Sequence, residues 1–484
     1  MKPHELIITE AAAALEKREV SSAELTQSYL DRVEELNPTL NAYLTVTKEV
    51  ALEAAKASDD RKERKGPLDG IPLAVKDNFM VAGSRTTAGS KILDDFIAVE
   101  DATSIARLKE AGAVILGKTI LDEFAMGSST EHSAYGPAKN PWDTSRVPGG
   151  SSGGSAVAVS SDLAAGALGS DTGGSIRQPA GFTSVVGLKP TYGAVSRYGV
   201  IALASSLDCP GPFGKTVADT RLIFEAIAGQ DPRDATSIDL LTADSRQLTA
   251  GLKGKKIGVP KEYFGQGLDK SVGETVKEAI KKLAELGAEI IEVTLPHSQY
   301  ALAVYYIIQP AEASSNLARY DGIKYGHSIE KKGHTGDLME VYLKSRGEGF
   351  GDETKRRIML GTYTLSAGYY EAYYKKALQV RTLVVQDFTN AFEKVDYLVS
   401  PTSPTVPFKF GEKEDDPLSM YLADVYTVAI NVAGIPAVSI PCGFVEDLPV
   451  GMQIIGRHKD DYGVLGVAEL YEQATEWHKK GPVL

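Results

Sequence analysis

Between Gly149 and Gly187 ten of 39 residues are glycine, and that density constrains the chain more than any other feature. The segment opens Pro148-Gly-Gly-Ser-Ser-Gly-Gly-Ser155 and closes Gly169-Ser-Asp-Thr-Gly-Gly-Ser-Ile-Arg-Gln-Pro-Ala180. Alone, the first cluster reads as a flexible linker. Its flanks argue otherwise. Ala156-Val-Ala-Val159 follows directly, and the small-residue run Leu163–Leu168 leads into the second cluster. Glycine-rich backbone set twice between buried elements lets successive N–H groups converge where a Cβ would intrude. Such donors suit a developing oxyanion, and Thr172-Gly173-Gly174-Ser175 ends in a hydroxyl. Asp171 and Arg177 flank the run and are expected to pin it through charge-assisted bonds.

The composition gives this loop a soluble frame, with 43% hydrophobic and 24% charged residues. A net charge of −12 argues against a surface devoted to nucleic-acid phosphate, so any nucleic acid is expected on a partner. Cys209 and Cys442 are too few for a disulfide framework or a cysteine metal site. The seven histidines include no pair at the helical spacing of a zinc protease, so no metal site is expected. The N-terminus has early acidic residues and no long apolar stretch, which excludes a signal peptide. No uncharged apolar run approaches the roughly 18 residues of a membrane span. The expected location is the cytoplasm.

Residues 1–64 read as helices, with Ser21-x-x-Glu24 as a capping box before Leu25, Tyr29, Val33 and Leu36 on one face. A further helix is expected from about Val46 to Arg64. From Ile71 the pattern becomes short apolar runs separated by helical stretches. The runs are Ile71–Val75, Ala113–Leu116, Val185–Leu188, Lys256–Val259, Glu289–Val293, Tyr397–Val399, Ala437–Ile440 and Gly451–Ile455. Helical patterns lie at Ala102–Ala111, Val217–Ala228 and Ser271–Leu286. This alternation predicts an α/β fold: one central mixed sheet covered by helices on both faces. We expect a single large domain over residues 65–484, with 1–64 as a helical arm of the same unit and a helical insertion at about 300–395.

Two motif matches fail on context. Gly112-Ala-Val-Ile-Leu-Gly-Lys-Thr119 fits a phosphate-binding loop letter for letter, but Ala113–Leu116 is itself a strand where a loop is required. Gly150-Ser-Ser-Gly-Gly154 fits a nucleophile elbow around Ser152, yet loop rather than strand precedes it.

The segment Gly149–Ala180 resembles the signature of the amidase signature family, and Gly70-Ile-Pro-Leu-Ala-Val-Lys-Asp77 resembles its lysine strand. The likeness extends through Ser128-Ser-Thr-Glu131, Gly187-Leu-Lys-Pro-Thr191 and Leu448-Pro-Val-Gly-Met-Gln453. Ala311-Glu-Ala-Ser-Ser-Asn316, Lys355-Arg-Arg-Ile-Met-Leu-Gly-Thr362, Gly368-Tyr-Tyr370 and Tyr421-Leu-Ala-Asp424 are similar to the members that hydrolyse glutamine for tRNA-dependent amidation. Gln309-Pro310, just ahead of the first of these, is read as a spot free to vary. The resemblance implies Ser175 as acyl nucleophile, Ser151 as relay serine on a cis peptide, and Lys76 as base, with the two serines 24 residues apart. It implies backbone N–H groups of Thr172, Gly173, Gly174 and Ser175 as the oxyanion hole. Arg357 and Asp424 would take the α-carboxylate and α-ammonium of glutamine, with Tyr306 adding a hydrogen bond and Arg356 the competitor of Arg357.

The chemistry is coherent. A serine hydroxyl needs a proton acceptor, and the histidine nearest the signature loops, His132, reads as a polar loop residue. Lysine serves only when neutral, so its pKa has to fall from about 10.4 to about 7. Lys76 ends the apolar run Ile71–Val75, where burial disfavours charge, and alternation turns Asp77 to the opposite face. The implied role is a glutaminase subunit feeding ammonia to an ATP-using partner that converts Glu-tRNA(Gln) to Gln-tRNA(Gln). It implies two further subunits (B and C) in a heterotrimer, with tRNA(Gln) held mainly by the partner. No cofactor is expected in this chain, ATP and Mg belonging to the partner. The alternative is a stand-alone amidase acting on another small amide.

Overall fold

The computed structural model describes residues 2–240, 251–333, 336–413 and 416–484; His334 lies outside them. Its strands are Tyr43–Val46 (β1), Pro72–Lys76 (β2), Val114–Thr119 (β3), Gly166–Asp171 (β4), Val186–Lys189 (β5), Cys209–Gly214 (β6), Lys256–Pro260 (β7), Glu289–Val293 (β8), Tyr397–Pro401 (β9), Ala437–Val445 (β10) and Leu448–Ile455 (β11). They form one sheet in the order β1-β3-β2-β4-β6-β5-β10-β11-β9-β7-β8. β2 runs parallel to β3 and β4, and β7 runs parallel to β8 and β9. The remaining pairs are antiparallel, so the sheet is mixed.

Every residue of β2 is buried, as expected for a parallel strand covered on both sides. The glycines of β4 show what covers the sheet there. A Cβ at Gly166 would meet Ile223 Cδ1 at 2.5 Å, whereas one at Gly169 would meet Ser152 Oγ at 3.0 Å. Residues three apart on a strand face opposite ways. The helices Val217–Ile227 and Gly153–Ser160 therefore lie on opposite faces of the sheet.

Residues 1–64 are not wholly helical. Tyr-Leu-Thr-Val, an aromatic and β-branched run between helices, forms β1 and pairs antiparallel with β3 at the sheet edge. The capping box of Ser21 and Glu24 forms as expected and opens the helix Ser22–Leu40, while the helix expected from about Val46 to Arg64 is shorter, Lys48–Asp59. β4 and β6 were not expected either, since Gly-Ala-Leu-Gly-Ser-Asp and Cys-Pro-Gly-Pro-Phe-Gly carry little strand propensity. Gly166 and Gly214 lie directly under the helix Val217–Ile227, whereas Gly169 and Gly211 make room for the Phe213 ring and the Leu188 carbonyl of neighbouring strands.

Among the described residues the region from 300 to 395 is mainly α-helical, with Ala301–Asn316, Leu338–Gly349, Asp352–Leu365 and Lys376–Phe392. The first and third pack closely: a Cβ at Gly361 would collide with the carbonyl oxygen of Pro310. Among the described residues no helix is long and apolar enough to cross a membrane.

Candidate active site

Lys76 stands at the carboxyl end of β2 with no exposed surface, the position where α/β sheets place their ligands. Its Nζ lies 2.8 Å from Ser151 Oγ, 2.8 Å from Ser152 Oγ and 2.9 Å from Ser170 Oγ, with the Ser170 carbonyl at 3.3 Å. All of these are neutral oxygens. Asp77, the nearest carboxylate in sequence, is bonded instead to Lys118 Nζ at 2.7 Å and to the Thr87 N–H at 2.8 Å. Burial pushes the Lys76 amine down to about 7, against the weaker opposing pull of Asp122, Asp171 and Asp208. Lys118 is the lysine of the phosphate-loop match, and its burial in β3 against Asp77 accounts for that match structurally.

The first glycine-rich segment brings Ser151 and Ser152 to this amine and β4 brings Ser170, while Ser175 sits on the adjoining loop. Gly150 and Ser151 are joined by a cis peptide, as the resemblance implied. Gly150 must be glycine: a Cβ there would press on Ser129 N at 2.6 Å and Thr130 N at 2.8 Å. The Gly150 N–H donates to Gln178 Oε1 at 2.9 Å, and the Asp122 N–H donates to the Ser151 carbonyl at 3.3 Å. The Ser152 N–H donates to the Ser175 carbonyl at 3.2 Å, which clasps the two loops together. Ser175 retains 8% exposure, while Ser151 has none. Of the two residues, only Ser175 reaches the surface.

Asp171 organises the loop that carries Ser175. Its carboxylate accepts from the N–H groups of Gly174 (2.9 Å), Ile176 (3.2 Å) and Arg177 (3.3 Å), and from Arg177 Nε and Nη2 at 3.0 Å each. Burial would raise this carboxyl, but the Arg177 guanidinium overrides it and holds the group down to about 2. The Gly174 N–H is thus spent inside the loop. The amides of Thr172, Gly173 and Ser175 remain as the loop's other donors.

A second cluster joins Tyr306, Arg357 and Asp424. Arg357 is buried, donates from Nε to Glu353 Oε1 at 2.7 Å, and lies 5.0 Å from the Tyr306 ring centroid. Asp424 Oδ2 accepts from Ser128 Oγ at 2.6 Å and from the Tyr306 hydroxyl at 3.3 Å. Burial, only partly offset by Ser128 and Arg357, raises the Asp424 carboxyl to about 7. Arg356 is half exposed and pairs with Glu353 from the outside, so Arg357 is the inward cation. A cavity of about 410 Å³, lined in part by Glu123, His132, Glu353 and Arg356, opens beside this cluster. Lys76 and the serines do not line it.

The two clusters are physically connected. Ser128 donates its hydroxyl to Asp424 and lends its carbonyl to Gln178 Nε2 at 2.9 Å, while Gln178 Oε1 receives the Gly150 N–H. Sequence reasoning missed this strut, and it missed Ser152, Ser170 and Gln309 as neighbours of the functional groups. Ser152 was visible only as the hydroxyl of the failed elbow match. Gln309 Oε1 accepts from Arg357 Nη1 at 2.6 Å, so the position read as free to vary sits on the cation of the second cluster.

Known proteins share this chain's sequence and fold over nearly its whole length. The A subunit of the glutamyl-tRNA(Gln) amidotransferase of Caldanaerobacter subterraneus subsp. tengcongensis is 57% identical over 99% of this chain and 98% of its own length. Its counterpart in Thioalkalivibrio sulfidiphilus is 55% identical over 99% of both. The crystal structure of the Thermotoga maritima counterpart superposes with a TM-score of 0.81 at 43% identity, covering 98% of this chain and 95% of that one. The peptide amidase of Stenotrophomonas maltophilia superposes with a TM-score of 0.81 at 31% identity, covering 98% and 97%. The Amidase family model matches residues 24–465, a span that holds every side chain of both clusters, and the chain belongs to the amidase family.

Proposed function

We propose that this amidase hydrolyses glutamine through a glutamyl ester on Ser175 and releases ammonia for a tRNA-dependent amidotransferase. One observation carries the reading: a buried amine–hydroxyl pair is linked through Gln178 and Ser128 to Asp424, in the cluster that also holds Arg357. The relay suits amide cleavage, and the pair suits the two charged ends of a free amino acid.

In the proposed reaction Ser175 Oγ attacks the amide carbon while its proton passes to Ser151 Oγ, whose own proton moves to the Lys76 lone pair. The oxyanion rests on the amides of Thr172, Gly173 and Ser175, since that of Gly174 is engaged by Asp171. One such donor typically contributes about 2.7–4 kcal/mol in the transition state. Collapse breaks the C–N bond, and the proton held on Lys76 returns through Ser151 to the leaving ammonia. Water then repeats the sequence on the ester and frees glutamate and Ser175.

Arg357 receives the α-carboxylate, Asp424 the α-ammonium, and Tyr306 orients Asp424. We assign the chain to a cytoplasmic heterotrimer with two further subunits. The ATP and Mg chemistry and most tRNA(Gln) contacts fall to a partner, in keeping with the acidic net charge. The named relatives, matched over nearly the whole chain, support this over a stand-alone amidase. The test is Ser175→Ala in the assembled enzyme. Glutamine-dependent product should vanish while product formation from added ammonia persists. Loss of both refutes the division of labour.

A further inference from the structure

Gln309 lies in the helix Ala301–Asn316 and has no exposed surface. Its Oε1 is committed to Arg357 Nη1, which fixes the plane and sense of the amide. Its Nε2 is buried and has no acceptor among the described residues. A buried amide donor left unpaired is costly and uncommon, so its retention beside a binding group calls for a partner from outside the chain. Arg357 itself is engaged through Nε by Glu353 and through Nη1 by Gln309, which leaves further guanidinium N–H groups for a ligand. The orphan amide and the open edge of the guanidinium are both donors, and they belong to side chains in direct contact. Glu353 is already turned to Arg357 and Tyr421, and Asp424 to Ser128 and Tyr306. An acceptor that enters with the substrate would satisfy the Gln309 amide and the guanidinium together.

We propose that Gln309 is a specificity-determining residue: its Nε2 donates to the α-carboxylate that Arg357 receives, so the site favours amides bearing a carboxylate. This rests on the glutamine reading and refines it. A pocket whose buried donor is paired only by the right substrate rejects analogues that leave it empty. The nearest such analogue is 4-aminobutanamide, which is glutamine without its carboxylate and keeps the ammonium for Asp424.

Gln309→Glu keeps an oxygen for Arg357 and puts an acceptor where the donor stood. In the full chain it should raise KM for glutamine by about tenfold to a hundredfold with kcat little changed. The kcat/KM for 4-aminobutanamide should stay at the parent value. Gln309→Met, which removes donor and acceptor together, should move the two substrates in the same unequal way and decides the matter if the Glu variant does not fold. Equal losses on both substrates would make Gln309 a packing residue, and an unmoved glutamine KM would remove it from the site; either overturns the proposal. A parent enzyme that hydrolyses the analogue but not glutamine would instead overturn the glutamine reading, and this inference with it.

Discussion

Lys76 Nζ is ringed by neutral oxygens, Asp171 by a guanidinium and three backbone amides, and Asp424 by two hydroxyls. Burial opposes charge on each, and the partners decide whether charge survives. Arg177 keeps Asp171 ionised; nothing comparable touches Lys76, which falls to about 7; Asp424 rises to about 7. In the proposed site the α-ammonium of glutamine is attracted only by ionised Asp424. As pH falls through that value the carboxylate takes up a proton and the attraction is lost. KM for glutamine should therefore rise as pH drops below about 7, approaching tenfold per pH unit. Asp424→Asn should hold KM high and flat with pH. A parent KM that is constant between about pH 6 and 8 contradicts this assignment. At this scale the family resemblance was the guide: it named Lys76, Ser151, Ser175, Arg357 and Asp424, of which the structure puts Lys76 beside Ser151 and Tyr306 beside both Arg357 and Asp424. Ser170 and Gln309 escaped because a hydroxyl or an amide in an ordinary helix or strand carries no periodic signal.

The helix Asp352–Leu365 presents Arg357 to the site, and two features hold it there. Glu123 accepts from the Gly351 N–H at 2.8 Å and from Thr354 Oγ1 at 2.6 Å, which places a carboxylate at the helix's positive end. On the other side, Gly361 lets the helix sit against Pro310, one residue from Gln309. Gly361→Ala inserts a methyl group into backbone that cannot retreat without moving Arg357 away from Gln309. We expect a loss of about 1–3 kcal/mol in unfolding free energy, with a higher KM and a smaller change in kcat. Chemical denaturation and initial rates check the two halves; a variant with parental stability and parental KM contradicts the packing argument. Strands such as Glu289–Val293 were legible because β-branched runs declare themselves. β4 and β6 were not, since their glycines make room for a helix or a neighbouring strand and carry no strand propensity. β1 was hidden by helical neighbours on both sides.

Across the whole molecule, the state of one amine depends on segments far apart in the chain. β2 supplies Lys76, the cis loop supplies Ser151 and Ser152, and β4 supplies Ser170. β3 supplies Lys118, which draws Asp77 away and leaves Lys76 without a carboxylate in contact. The α/β class was legible from alternating apolar runs and helices, but the strand order was not. Pairing β10 with β5, or β9 with β11, joins residues whose proximity no local pattern encodes. The most direct measurement is the titration of the Lys76 amine, followed through the Cε carbon of lysine-labelled protein and assigned by the signal missing from Lys76→Met. The account predicts a midpoint near 7, with glutamine hydrolysis failing as the amine becomes charged below it. An amine that stays cationic until about pH 10, in an enzyme that is fully active at neutrality, would contradict it.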